Sequence, residues 1–262
     1  MSFVISTDTS ANLPTAELQW HQLYLLPFSY IVNEVEHQCL DLSAFDGDAY
    51  YEMLRHTPAS TSMISMDQYR QLGEPLLEEG HDILHVGMSS GISGAYQSAV
   101  MAARELREEY PQRRLVVFDT RAASLGEGIQ VLHAATCREA GYTLDETVRE
   151  LAELRPRIRQ IFTVDDLMHL RRGGRVSGVA AAVGTALRIK PLLKGDEAGR
   201  IVVFGKVQGR KRSVRALADN FAANAELLGR WPIGIAHAGC RDEALALAAM
   251  LKESDPKARI IL

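Results

Sequence analysis

Along the first half of the chain, short apolar runs stop abruptly at small polar residues. Phe3-Val4-Ile5-Ser6 leads into Thr7-Asp8-Thr9-Ser10, Asp82-Ile83-Leu84-His85-Val86-Gly87 into Met88-Ser89-Ser90-Gly91, and Leu115-Val116-Val117-Phe118 into Asp119-Thr120. Runs of this length bounded by turn-forming residues read as strands. Between them, residues 95–110 place apolar side chains at three- and four-residue steps with Arg and Glu on the other face, and residues 144–154 do the same. Both predict amphipathic helices, and 67–78 is helix-like as well. Strands alternating with such helices form βαβ units, so a parallel sheet is expected, with functional loops at the carboxyl ends of its strands.

The second half is patterned differently. Ile161-Phe162-Thr163-Val164 precedes a Gly- and Arg-rich turn, Arg171-Arg172-Gly173-Gly174-Arg175, and then an almost charge-free helix candidate over 176–187. Strand candidates 189–193 and 200–206 flank Lys194-Gly195-Asp196-Glu197-Ala198-Gly199, which predicts a hairpin. A further strand over 232–237 leads through a polar loop to a helix over 243–253. A domain boundary is expected near residue 158, after Pro156-Arg157-Ile158-Arg159. No internal repeat or low-complexity segment interrupts this order.

Composition narrows the class. Hydrophobic residues make up 47% and charged residues 24%, the profile of a soluble globular protein. Aromatics reach only 6%, so the core must be built mainly of Ala, Leu, Val and Ile. A formal net charge of −4 argues against nucleic acid as the main partner, because phosphate binding asks for a basic surplus. The three cysteines, Cys39, Cys137 and Cys240, are far apart and form no CxxC pair, as in a reduced intracellular protein. No signal peptide precedes Phe3 and no apolar run approaches the ~20 residues of a membrane span, so a cytoplasmic protein is expected.

Four segments could carry chemistry. In Ser89-Ser90-Gly91-Ile92-Ser93-Gly94-Ala95, small hydroxyl residues and glycines lie between a strand and a helix, where backbone N–H groups and the helix dipole favour an anionic oxygen. A helix cap alone explains Ser93 equally well. Ser60-Thr61-Ser62 forms a second hydroxyl cluster, which as a plain loop needs no function. Together, the two clusters suit a hydroxyl-lined carboxylate site. In the third segment, Arg171 to Gly178, guanidinium groups suited to carboxylate or phosphate precede a helix of small residues, although close helix packing accounts for those small residues on their own. The fourth, Lys206-Val207-Gln208-Gly209-Arg210-Lys211-Arg212, is a basic run that can dock an acidic partner or simply face water.

A hydrolase pattern competes. Gly87-Met88-Ser89-Ser90-Gly91 matches G-x-S-x-G between a strand and a helix, and Asp119 and His237 follow in the order of an α/β-hydrolase triad. No HGGG-type oxyanion loop precedes Ser89, and too few strands come before it. Neither a P-loop nor a metal-ligand cluster is visible, so no cofactor, no metal and no catalytic residue is expected of this chain alone.

The order of these segments resembles the DegV family of bacterial lipid-binding proteins. The matching pieces are Asp8-Thr9-Ser10-Ala11-Asn12-Leu13-Pro14, Thr61-Ser62, Ser90-Gly91-Ile92-Ser93-Gly94-Ala95-Tyr96, Asp119 with Ser124-Leu125-Gly126-Glu127-Gly128, Leu170-Arg171-Arg172-Gly173-Gly174-Arg175-Val176-Ser177, and Ile189-Lys190-Pro191-Leu192-Leu193. The resemblance implies a two-domain α/β DegV-like architecture, with a parallel-sheet N-terminal domain at 1–158 and a mixed-sheet C-terminal domain at 159–262. It implies a long-chain fatty acid held in a buried tunnel, its carboxylate bound by Thr61, Ser62, Ser93 and Gly94 with Arg175 nearby. It further implies a partner kinase catalytic subunit, docked through Arg210, Lys211 and Arg212, that phosphorylates the carboxylate, and a downstream acyltransferase in phospholipid synthesis. A lipid sensor without a kinase is the other binding role left open. Burying about sixteen carbons at roughly 0.8 kcal/mol per CH₂ favours such a tunnel, provided that converging donors satisfy the headgroup. The chain departs from the family at Met63-Ile64, where Gln-Pro is usual, and at Gln208, where arginine is frequent. The family's closing strand and His-x-Gly-Pro-Gly turn are missing after Ile260-Ile261-Leu262, so a truncated or incompletely given chain, or a weaker headgroup site, is expected.

Overall fold

A computed structural model describes residues 3–176, 188–224 and 231–262. They divide into two compact units, Met1–Ile158 and Arg159–Leu262. The helix expected over 176–187 lies, apart from Val176, outside the described residues.

In the first unit, β1 (Phe3–Asp8), β2 (Leu23–Leu26), β6 (Asp82–Gly87) and β7 (Leu115–Asp119) form a parallel sheet in the order β2-β1-β6-β7. The two central strands are buried almost residue for residue, as expected of parallel strands covered on both faces. Helices α1 (Thr15–Trp20), α3 (Met66–Glu78), α4 (Ala95–Glu109), α5 (Leu125–Glu139) and α6 (Leu144–Leu154) accompany the sheet. Small residues let α4 pack closely: Ala95, Ala99 and Ala102 join Leu26, Ile64 and Tyr69 in one cluster, while Ala103 and Leu106 join Leu76, Leu77, Ile83 and Leu115 in another.

Three short antiparallel strands, β3 (Ser29–Val32), β4 (Val35–Gln38) and β5 (Ala59–Ser62), form a separate sheet in the order β4-β3-β5, and α2 (Gly47–His56) lies between β4 and β5 in the chain. Tyr30 stacks on His37 at 5.0 Å and meets Tyr50 edge-on at 4.9 Å, giving this polar sheet its own aromatic anchor.

The second unit holds β8 (Ile161–Thr163), α7 (Met168–Arg172), β9 (Ile189–Gly195), β10 (Ile201–Gln208), α8 (Arg210–Ala222), β11 (Ile233–Gly234), α9 (Arg241–Ser254) and β12 (Ile260–Ile261). Strands β10-β9-β8 are antiparallel, with the expected hairpin between β9 and β10, whereas β11 and β12 make a parallel pair. The strand expected over 232–237 is thus only two residues long. Ala218, Ile235, Ala244 and Leu251 form the core beneath α8 and α9. Parallel and antiparallel pairing together make this a mixed α/β chain.

Candidate functional site at the carboxyl edge of the parallel sheet

The loops that follow β1, β6 and β7 meet at one edge of the parallel sheet. After β1, Asp8 caps a 3₁₀ turn over Thr9–Ala11 by accepting the Ser10 N–H at 2.8 Å. Asn12 closes that turn in the left-handed region, at φ 50°. After β6, the Ser93 N–H donates to Ser89 O at 3.1 Å, and Ser93 Oγ accepts the Ala95 N–H at 3.2 Å. Ser93 is 7% exposed, so its hydroxyl is largely shielded from solvent. Gly94, not Ser93, occupies the cap position of α4.

The second hydroxyl cluster is not a loop. Ser60, Thr61 and Ser62 belong to β5, with Thr61 opposite Tyr30 and Ser62 opposite Ser29. Neighbouring strand residues face opposite sides, so Thr61 and Ser62 cannot both point at one ligand without a local twist. The helix that follows begins at Met66, capped by Ser65 and Gln68 in a reciprocal capping box. Met63 links the two clusters: a Cβ built on Gly94 would lie 2.9 Å from its Sδ. Ile64 and Ala95 share the core cluster beneath. The structure therefore brings the Thr61-Ser62 segment to the Ser93-Gly94 segment.

Arg175 lies in the second unit, exposed, with its guanidinium donating to Gly173 O. The basic run opens α8 after Gly209, at φ +87°. Arg210 is held by Glu243 (Nε–Oε2 2.8 Å, Nη2–Oε2 2.6 Å), while Lys211 and Arg212 are exposed. Lys211 and Arg212 are thus the exposed cations of the expected docking trio.

The hydrolase pattern does not assemble. Ser89 is fully buried, its Oγ accepts the Gly91 N–H at 3.1 Å, and its backbone is outside the left-handed region that a nucleophile elbow uses. Asp119 accepts Ser90 Oγ at 2.6 Å and the Arg121 N–H at 3.0 Å, so its carboxylate secures its own loop rather than a histidine. His237 is exposed in the other unit.

A buried polar network, for which the local sequence pattern carries no chemical signal, lies at the same edge. Ser10 Oγ donates to Glu127 Oε2 at 2.6 Å and Thr7 Oγ1 to Glu127 Oε1 at 3.3 Å. Burial, followed by the Asp8 charge, holds the Glu127 carboxyl well above the usual carboxylate range. Burial likewise pushes the His85 imidazole down to about 4, which leaves it neutral, with Nδ1 3.0 Å from Ser6 Oγ. In the sequence this network shows only as two separate segments, Asp8-Thr9-Ser10 and Glu127-Gly128. Among the described residues, no group of three or more His, Cys, Asp and Glu is placed to hold a metal, and no helix is long and apolar enough to cross a membrane.

The family model of DegV, an uncharacterised protein family, matches residues 2–262. The chain belongs to the DegV family. A DegV domain-containing protein of Clostridium perfringens is 35% identical over 261 residues, covering 99% of this chain and 90% of the relative. Among solved structures, the fatty acid binding DegV family protein of Streptococcus agalactiae is 30% identical with a TM-score of 0.84, covering 100% of this chain and 92% of that one. DegV of Bacillus subtilis, described as a fatty acid binding protein, is 27% identical with a TM-score of 0.85, covering 100% and 91%. The DegV fold thus accounts for the parallel sheet, the antiparallel sheets and their order.

Proposed function

We propose that this protein is a fatty-acid carrier that holds one long-chain fatty acid in an apolar tunnel and presents its carboxylate at the edge carrying Ser93. One observation carries the reading: Met63, at the end of β5, lies against Gly94 beside the buried Ser93, in a fold shared with DegV proteins described as binding fatty acids. Ser93, Gly94 and one hydroxyl of the Thr61-Ser62 pair are the headgroup donors. A carboxylate accepts such donors in charge-assisted bonds, each worth about 1.5–3 kcal/mol. The chain performs no chemistry by itself and needs no cofactor.

Mass spectrometry of the purified protein tests the ligand class. Under native conditions a mass excess equal to one fatty acid is expected, and the free acid appears on denaturation; a bare chain mass after purification and after incubation with oleate contradicts the reading.

The partner in this proposal is a cytoplasmic kinase catalytic subunit that phosphorylates the bound carboxylate, with an acyltransferase consuming the acyl phosphate. Lys211 and Arg212 support a docking role. They sit in the first turn of α8, where cations oppose the helix dipole and an acidic partner surface would offset them. Replacing both, Lys211→Glu with Arg212→Glu, favours the helix locally, so the fold is expected to hold. Acyl-phosphate formation by the kinase should fall by about ten- to a hundredfold with fatty-acid binding unchanged. Unchanged turnover places the docking surface elsewhere, and phosphorylation absent with every kinase tried favours a lipid sensor.

A further inference from the structure

Two buried acids at the candidate edge have no part in binding a headgroup. Asp8 ends β1 and Glu127 lies in the first turn of α5, both fully buried. The Ser10 N–H donates to Asp8 Oδ1 at 2.8 Å and the Met88 N–H to Asp8 Oδ2 at 3.0 Å. Ser10 Oγ and Thr7 Oγ1 donate to the two Glu127 oxygens. Ser10 thus bridges the two carboxyl groups, its N–H to Asp8 and its hydroxyl to Glu127, and among the described residues no salt bridge from a cation reaches either. The other titratable groups packed here are neutral. His85, from β6, lacks a proton to give up as a cation, and Tyr69, from α3, meets the His85 ring edge-on at 5.0 Å.

An ionised carboxylate only accepts hydrogen bonds, and two ionised carboxylates buried around one serine repel each other unless a proton neutralises one of them. Two buried negative charges with no counter-ion are also far costlier than one. We propose that Asp8 and Glu127 share one proton and act as a positioning pair, locking the loops after β1 and β6 onto α5 at the edge that carries Ser93. The lock opens when the pair loses its proton. The proton sharing stands independently of any ligand; its bearing on the headgroup rests on the fatty-acid reading.

Burial raises both acids, Glu127 the more, and the titration belongs to the pair rather than to either residue. The folded chain therefore keeps a proton that the unfolded chain has lost above the ordinary carboxylate range. Stability from the pair is full at the acid end and is lost as pH rises toward the raised pKa, by about tenfold in the folding equilibrium per pH unit.

Carboxyl-carbon NMR from about pH 5 to about pH 9 tests this, with assignments from Glu127→Gln and Asp8→Asn. One signal of the pair should keep the shift of a protonated acid near neutrality and vanish in Glu127→Gln. The urea midpoint should fall with pH in the unsubstituted protein and stay flat in Glu127→Gln. Two ionised signals near neutrality, or an equal pH slope in the variant, overturns the proposal. Should Glu127→Gln fail to fold, the unsubstituted protein's spectrum still decides it. In the same pH series, oleate released at the alkaline end from the unsubstituted protein but kept by Glu127→Gln supports the lock. No oleate bound at any pH, with the shared proton present, supports the pair and overturns only the headgroup reading.

Discussion

Gly128→Ala is expected to lower the stability of the protein by about 3 kcal/mol, the upper range for overpacking a close-packed site. A Cβ at Gly128 would lie 2.6 Å from Ala11 O and 2.9 Å from Leu13 Cδ2. The first obstacle is backbone and the second belongs to a buried side chain, so neither can yield without moving the Thr9–Ala11 turn away from α5. Gly94→Ala is the informative contrast. Its Cβ would lie 2.9 Å from Met63 Sδ, the far end of a flexible side chain that is 52% exposed and can swing aside. Its cost should stay under about 1 kcal/mol. Urea unfolding of both variants at one pH measures the difference. Equal midpoints would mean that α5 does not rest on the turn capped by Asp8.

How much of this arrangement could be read from the sequence depended on contrast between neighbouring residues. The buried strands β6 and β7 stood out as short apolar runs ended by polar loop residues, and the two-faced helices α4 and α6 by apolar positions at three- and four-residue steps. Strand β5 did not, since Ala-Ser-Thr-Ser has no apolar stripe and β4 is exposed along its whole length. Those strands exist through pairing to Tyr30 and its neighbours, a long-range cause that no local window contains. Helix α5 was missed for the opposite reason. Leu125, Glu127, Gly128, Val131, Leu132 and Ala135 are buried nearly all round it, so the polar face that marks an amphipathic helix is weak. At the candidate site, Ser93 was legible because a hydroxyl between strand and helix carries a mechanism of its own. Glu127 was not, because a buried acid is conspicuous only once Asp8 and Ser10 are known to surround it.

The double variant Thr61→Ala with Ser93→Ala should lose about a hundredfold or more in fatty-acid affinity. Each hydroxyl offers a carboxylate one charge-assisted hydrogen bond, and two such bonds at about 1.5–3 kcal/mol correspond to at least two powers of ten in the dissociation constant. Stability should change much less. Thr61 is exposed on an edge strand, and Ser93 gives up one bond to the Ala95 N–H, the loss of a cap worth about 1 kcal/mol. Ser62→Ala separates the two faces of β5: its hydroxyl shares the Ser29 side, and if Thr61 carries the contact, affinity in that variant stays near that of the unsubstituted protein. Competition with a fluorescent fatty acid, alongside a melting curve for each variant, measures both quantities. Full affinity in the double variant would move the headgroup away from this edge, whereas a loss confined to Ser62→Ala would keep it there and reverse the face of β5 that holds it.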